Sequence, residues 1–309
     1  VGRSVRVGVT GSTGLIGLAL VRVLHERGDH VTVFVRPGTA SNEQNTIRWD
    51  PKQGTVNQED LRRSTGFDVL INLAGAGIGD HRWNPSRTSA ILESRISATS
   101  LLVQTLSDLT NDVVFLASAS AIGWYGSRGE EVLNESSIRG EGFLAGVCQQ
   151  WEKEATCFAT SGSSVALLRT GLVISRRGGL FKRQLPLFRL GLGGHYGSGR
   201  QWLSPISLHD EVRAILWTID HQLSGPINLT APSPTTNRTF TATLARTVHR
   251  PARMHVPQAV LRAALGAEMT NELVLTSQRV APEKLLSSGF CFEQPDIDSI
   301  FLWALHDKT

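Results

Sequence analysis

The chain has 309 residues, a formal net charge of +4, and is 40% apolar and 19% charged. This length and balance suit one large α/β domain or two lobes, and they exclude a disordered polyelectrolyte. Three cysteines, Cys148, Cys157 and Cys291, cannot build a disulfide framework and point to a reducing, cytoplasmic setting.

In chain order, Arg6–Thr10 reads as a short β-branched strand, followed by a glycine loop. An apolar helical pattern runs from Leu15 to Arg27, with Gly28 as its stop. Val31–Val35 is a second buried strand and Asp68–Leu73 a third. Pro85 opens a long helix whose apolar positions Ile91, Leu92, Ile96, Leu102 and Val103 recur at helical spacing. Val113–Leu116 is a strand, residues 142–160 a helix, and Val165–Leu168 a strand. Buried strands alternating with helices predict a mostly parallel, doubly wound Rossmann sheet in the order 3-2-1-4-5-6, extended by one strand. Beyond Arg169 the segments Gly178-Gly179, Gly191–Gly199 and Ala231–Thr236 read as loops. Helical patterns lie near Asp210–Ile219, Arg238–Val248 and Gln258–Leu265. The expected division is a dinucleotide-binding domain over 1–170 and a smaller α/β substrate lobe over 171–309.

Gly11-Ser12-Thr13-Gly14-Leu15-Ile16-Gly17 gives a G-x-x-G-x-x-G string between a strand and a helix, the context in which such a loop binds a pyrophosphate. Gly11 allows the turn, Gly14 lets backbone N–H groups approach the phosphates, and Gly17 lets helix and strand pack closely. At the end of the second strand stands Val35-Arg36, where an acidic residue would bind the ribose of NAD. Arg36 would instead pair with a 2′-phosphate, so NADP(H) is the expected cofactor.

These residues, with others further along, resemble an extended short-chain dehydrogenase/reductase of the NAD-dependent epimerase/dehydratase type. More narrowly, the chain resembles the YfcH-like (SulA-like) "sugar nucleotide epimerase" branch. The likeness is carried by Asn72-Leu73-Ala74-Gly75, Ser94-Arg95 with Thr99, Ser118-Ala119-Ser120-Ala121, and Trp124-Tyr125-Gly126. It continues through Phe143-Leu144-Ala145, Trp151-Glu152, Arg169-Thr170-Gly171 and Gly191–Gln201. A C-terminal segment over about 256–303 includes Val256-Pro257, Ser277-Gln278-Arg279-Val280 and Lys284-Leu285.

The resemblance implies that Leu73, Ala74 and Gly75 line the cofactor track and that Arg95 and Ser118 touch the cofactor. It implies that Arg169 begins the substrate-contacting segment, and Arg200, Gln201 and Arg213 could reach a diphosphate. Such reductases pair a Ser with a Y-x-x-x-K motif whose Lys lowers the Tyr pKa. Ser120 stands at the Ser position, but aligning the helix on Glu152 puts Leu144 and Cys148 where Tyr and Lys belong. Ser120 or Tyr125 as acid/base, and Cys148 as a thiol, stay open. Of the branch's Trp-Ile-His-x-x-Asp pattern only Asp210 carries over, because Ser207 replaces the His and His209 is shifted.

Two functions follow as alternatives. One is an NADP(H)-dependent oxidoreductase or epimerase-like enzyme for a small polar, nucleotide-sugar-like substrate. The other is a non-catalytic NADP(H)-binding sensor or regulatory module. No metal or nucleic acid is expected, since the nine His are scattered and the cations form no stripe with aromatics. No membrane partner is expected, because the longest apolar uncharged run, Val113 to Ser127, is too short to span. A homodimer is an expectation, as is a further N-terminal domain ahead of Val1.

Overall fold

The computed structural model describes residues 4–39, 43–64, 66–108, 115–159 and 163–307. The first βα unit is β1 (Arg6–Thr10) and α1 (Leu15–Arg27). Gly28 ends the helix in the left-handed conformation at φ 85°, which its lack of a side chain allows. There follow β2 (His30–Val35), β3 (Thr46–Asp50), β4 (Thr55–Val56), α2 (Gln58–Arg63) and β5 (Val69–Asn72). Helix α3 (Pro85–Asp108), β6 (Phe115–Ala121) and α4 (Phe143–Thr156) complete the first half. Of the expected Val113–Leu116 strand, Val113 and Val114 lie outside the described residues.

Strands Ser164–Thr170 and Gly225–Leu229 extend the sheet, giving eight strands. All pair in parallel except β4, which turns back on β3. From Gly225–Leu229 the order runs through Ser164–Thr170, β6, β5, β1, β2 and β3 to β4. This is the doubly wound Rossmann order with one further parallel strand, as expected, plus the short antiparallel edge.

Both faces are covered, so the central strands are buried on both sides; all four residues of β5 are buried. On one face α1 packs Leu20 and Leu24 beside Val212 and Ile215 of a later helix. On the other, Leu101 and Leu102 of α3 and Ala155 of α4 pack with Phe67 and Leu70. A separate core holds Phe181, Leu185 and Phe188 of α5 (Gly179–Arg189), Ile300 and Phe301 of the C-terminal helix Ile297–His306, and Phe240 and Leu244.

Strand Gly225–Leu229 and helix α6 (Leu208–Asp220), which shares the face of α1, both lie beyond residue 170. The sheet therefore draws elements from both sides of the expected boundary. The stretch Gly191–Gly199 is also not a free loop. Gly194–Tyr196 pairs in parallel with Met254–Val256, and the Tyr196 hydroxyl accepts a bond from Gln184 at 2.8 Å. Among the described residues no helix is long and apolar enough to cross a membrane.

Candidate functional site

The register brings three segments to one edge. Thr10 lies opposite Phe34 on one side and Asn72 on the other. The chain just past each strand, at Gly11, Val35-Arg36 and Leu73-Ala74-Gly75, therefore converges at the carboxyl edge, where open α/β sheets bind ligands.

The glycines there divide by cause. Gly11 has φ 69°, and a Cβ on it would lie 2.5 Å from the Leu73 carbonyl oxygen. A Cβ on Gly17 would fall inside contact distance of the Gly11 carbonyl and the Ser12 backbone. Gly14 has an ordinary φ of −77°, and its Cβ would meet only the Gly11 oxygen at 3.3 Å. Packing thus accounts for Gly11 and Gly17 but not for Gly14. Replacing Gly17 with Ala is expected to lower stability by about 1–3 kcal/mol, whereas Gly14→Ala should leave the melting temperature nearly unchanged. Thermal denaturation of the pair checks both.

Gly14 is the N-cap of α1, with no side-chain cap and no acidic residue in the first turn. The opening amides of a helix have no intrahelical acceptor and sit at its positive end. Ser12 is buried beneath the turn, Thr13 and Gly14 are exposed, and Leu15 and Ile16 are half-buried. This cradle suits a pyrophosphate. Beside it Val35 is buried and Arg36 exposed. The Arg36 guanidinium has no hydrogen bond or ion pair among the described residues, so it is available to a phosphate.

Beneath the edge runs a buried polar chain. Thr10 donates to Asn72 Oδ1 at 2.7 Å, and Asn72 Nδ2 donates to Thr99 at 2.9 Å and Ser118 at 3.3 Å. Trp151 Nε1 donates to Thr99 at 3.0 Å. Ser118 is fully buried in this chain. Its hydroxyl is engaged from within by Asn72 and braces the end of β5.

A second network lies across β6, α4 and the last strands. Ser120 Oγ donates to Glu152 Oε1 at 2.6 Å, and Arg169 grips both Glu152 oxygens at 2.9 Å. Arg169 also donates to the Tyr125 hydroxyl at 3.1 Å, and that hydroxyl donates to Asn228 at 2.7 Å. The guanidinium stacks on Trp124, 4.1 Å from the ring centroid. Tyr125 is fully buried, and burial raises its pKa despite the opposing pull of Arg169. Its phenol is spent inside the protein, so its expected acid/base role does not fit the geometry. Arg169, buried against Glu152, is likewise an internal brace rather than a substrate contact. In the sequence Glu152 enters only through a resemblance; its bonds to Arg169, on another element, give it its role.

Leu144, half-buried, and Cys148, buried, stand on α4 where the Tyr and Lys were expected. Burial pushes the Cys148 thiol up to about 11, with Glu152 adding to the shift, so it is not a thiolate near neutrality. The start of α4 is closed by Glu272, which accepts from the Phe143 and Leu144 amides at 3.3 and 3.1 Å. Arg95 reaches across from α3 and stacks on Trp151 at 4.9 Å.

The second-lobe candidates are mostly engaged. Gln201 is buried and donates to the carbonyls of Tyr196 and Val274, both at 3.2 Å. Asp210 accepts from Arg213 at 2.6 Å and from the Gln294 amide at 2.8 Å, while Ser207 caps α6. Arg213 also binds the Cys291 carbonyl at 3.0 Å. Gln201 and Arg213 are thus structural ties, against the expected diphosphate role. Arg200 alone of this group is exposed.

Comparison with known proteins agrees with this geometry. The model of the NAD dependent epimerase/dehydratase family matches residues 7–229, and a domain of unknown function, DUF1731, matches 256–304. Epimerase family protein Mb2239 of Mycobacterium bovis is 40% identical over 292 residues, covering 94% of each chain. The crystal structure of human epimerase family protein SDR39U1 with NADPH superposes with a TM-score of 0.87 at 27% identity, over 98% of this chain and 100% of that one. A nucleoside-diphosphate sugar epimerase from Corynebacterium glutamicum gives 0.77 at 33% identity, covering 98% of this chain and 58% of that one. The chain belongs to the NAD-dependent epimerase/dehydratase family.

Proposed function

We propose that the chain is an NADP(H)-binding, epimerase-like oxidoreductase of the YfcH-like branch, acting on a small polar, nucleotide-sugar-like substrate. The observation that carries the reading is Arg36, exposed and without an ionic partner among the described residues, beside an uncapped helix start. The amides of α1 would hold the pyrophosphate, Arg36 the 2′-phosphate, and Leu73-Ala74-Gly75 the track towards nicotinamide. Bound there, the cofactor supplies or accepts a hydride. Ser120 stands at the family's Ser position by the resemblance, with its proton directed at Glu152. NADPH is the ligand in the human relative's structure, which supports the same choice here. The three cysteines are unpaired, which supports a reducing, cytoplasmic setting.

The sensor reading keeps one specific support: neither Tyr125 nor Cys148 offers a group that titrates toward a ligand. Turnover of NADPH with a nucleotide-sugar panel, abolished in Ser120→Ala, would decide for the enzyme; binding without any turnover would decide for the sensor. The cofactor choice is tested by titrating NADPH and NADH into the protein and into Arg36→Ala. A preference for NADPH of about tenfold to a hundredfold should collapse in the variant. Equal affinities in the unmodified protein would refute it.

A further inference from the structure

We propose that Arg95 is the receptor for an anionic group, a carboxylate or phosphate, on the substrate rather than on the cofactor. The proposal rests on the NADP(H) reading of the crevice.

Arg95 is a half-buried cation without a counter-charge. Its Nη1 donates only to the carbonyls of Ala76 at 3.0 Å and Ile91 at 2.9 Å. No carboxylate pairs with it among the described residues, and Nε and Nη2 have no acceptor there. Burial lowers its pKa to about 10, with Cys148 opposing the shift and the cation Arg87 adding a smaller push in the same direction as burial. Yet the fold makes room for it. A Cβ on Gly75 would lie 3.3 Å from the Arg95 Cζ, and Trp151 supplies a stacking face. Buried charges are ordinarily paired, and a guanidinium edge with free N–H groups matches two anionic oxygens.

Its position selects the source of that anion. Arg95 lies beside Cys148, whose Sγ contacts the Ala121 carbonyl at 3.6 Å, one residue past Ser120. This is the reacting end of the crevice by the family alignment. The three phosphates of NADP(H) are matched by α1 and Arg36, and the nicotinamide end brings no anion. The oxidised ring is itself positive. The missing counter-charge must therefore arrive with the molecule that meets the nicotinamide. The Arg95 guanidinium would also offset the positive charge lost where Cys148 replaces the family's Lys, from a different helix.

The test uses the full chain and Arg95→Met, which keeps the apolar stem but removes the charge. Melting temperatures are measured without ligand, and with acetate or inorganic phosphate against chloride at equal ionic strength, each with and without NADPH. The ligand-free variant should melt higher by roughly 2–4 °C, because an unpaired charge is gone. Acetate or phosphate should stabilise the unmodified protein and not the variant, and NADPH affinity should be unchanged. A lower melting temperature, or no specific anion response in the unmodified protein, would overturn the proposal. A loss of NADPH affinity of about tenfold or more would assign the anion to the cofactor and overturn it too. Failure of the unmodified protein to bind NADPH would count against the cofactor reading alone; the measurements without NADPH would still decide the role of Arg95.

Discussion

Replacing Arg169 with Met is expected to cost about 3–5 kcal/mol of folding stability. The guanidinium makes two bonds to Glu152 at 2.9 Å and one to Tyr125, all buried. Removing it leaves the Glu152 carboxylate in the interior with the Ser120 hydroxyl as its remaining side-chain partner. A buried charge without its counter-ion is far more costly than the pair was stabilising. The double variant Arg169→Met with Glu152→Met should therefore recover much of the loss. Chemical denaturation of both singles and the double measures this coupling. A loss below about 1 kcal/mol in Arg169→Met, the range of an exposed pair, would contradict the internal-brace assignment and return Arg169 to the ligand-contact candidates.

Glu211→Gln is expected to stabilise the protein at alkaline pH. Glu211 lies in the first turn of α6, fully buried. One oxygen accepts from Thr170 at 2.8 Å, and the other has no partner. Burial pushes its carboxyl up to about 8, against a smaller opposing effect of the Thr170 hydroxyl. The folded protein thus keeps a proton that the unfolded chain releases near the ordinary value of 4.5. Between these values the folded state binds more protons, so stability falls as pH rises, by up to about 1.4 kcal/mol per pH unit from this group. Above about 8 the effect levels off. Glu211→Gln removes this slope and should exceed the parent by a few kcal/mol at its upper end. Denaturation curves across the window check the sign; identical slopes in parent and variant would contradict it.

What the sequence made legible was local. The glycine loop, β1, α1 and the Pro85 helix announce themselves through residues a few positions apart. β3 gives no clear strand signal in the sequence, because Arg48 and Asp50 break its apolar run one strand in from the sheet's edge. Gly225–Leu229 opens with Gly-Pro, which argues against a strand except at an edge, its place here. Helix α5 carries no clear signal in the sequence, because the loop-like Gly178-Gly179 stand at its start and Pro186 lies within it. The candidate site failed in a related way. Ser118, Tyr125, Arg169 and Gln201 stand out in the sequence as candidate ligand-contacting or catalytic residues. Their partners, Asn72, Asn228, Glu152 and Val274, are distant in sequence, so nothing local showed that they were already spent. Arg36 and Arg95 remain because the fold supplies no carboxylate to either among the described residues.

On the proposed reading, an uncapped helix start and the exposed Arg36 hold a coenzyme with three phosphates. Calorimetric titration of the unmodified protein with NADPH, NADP, NADH and NAD tests it most directly. Saturable one-to-one heat with NADPH, and much weaker heat with NADH, is the expected result. No heat with any of the four would contradict it.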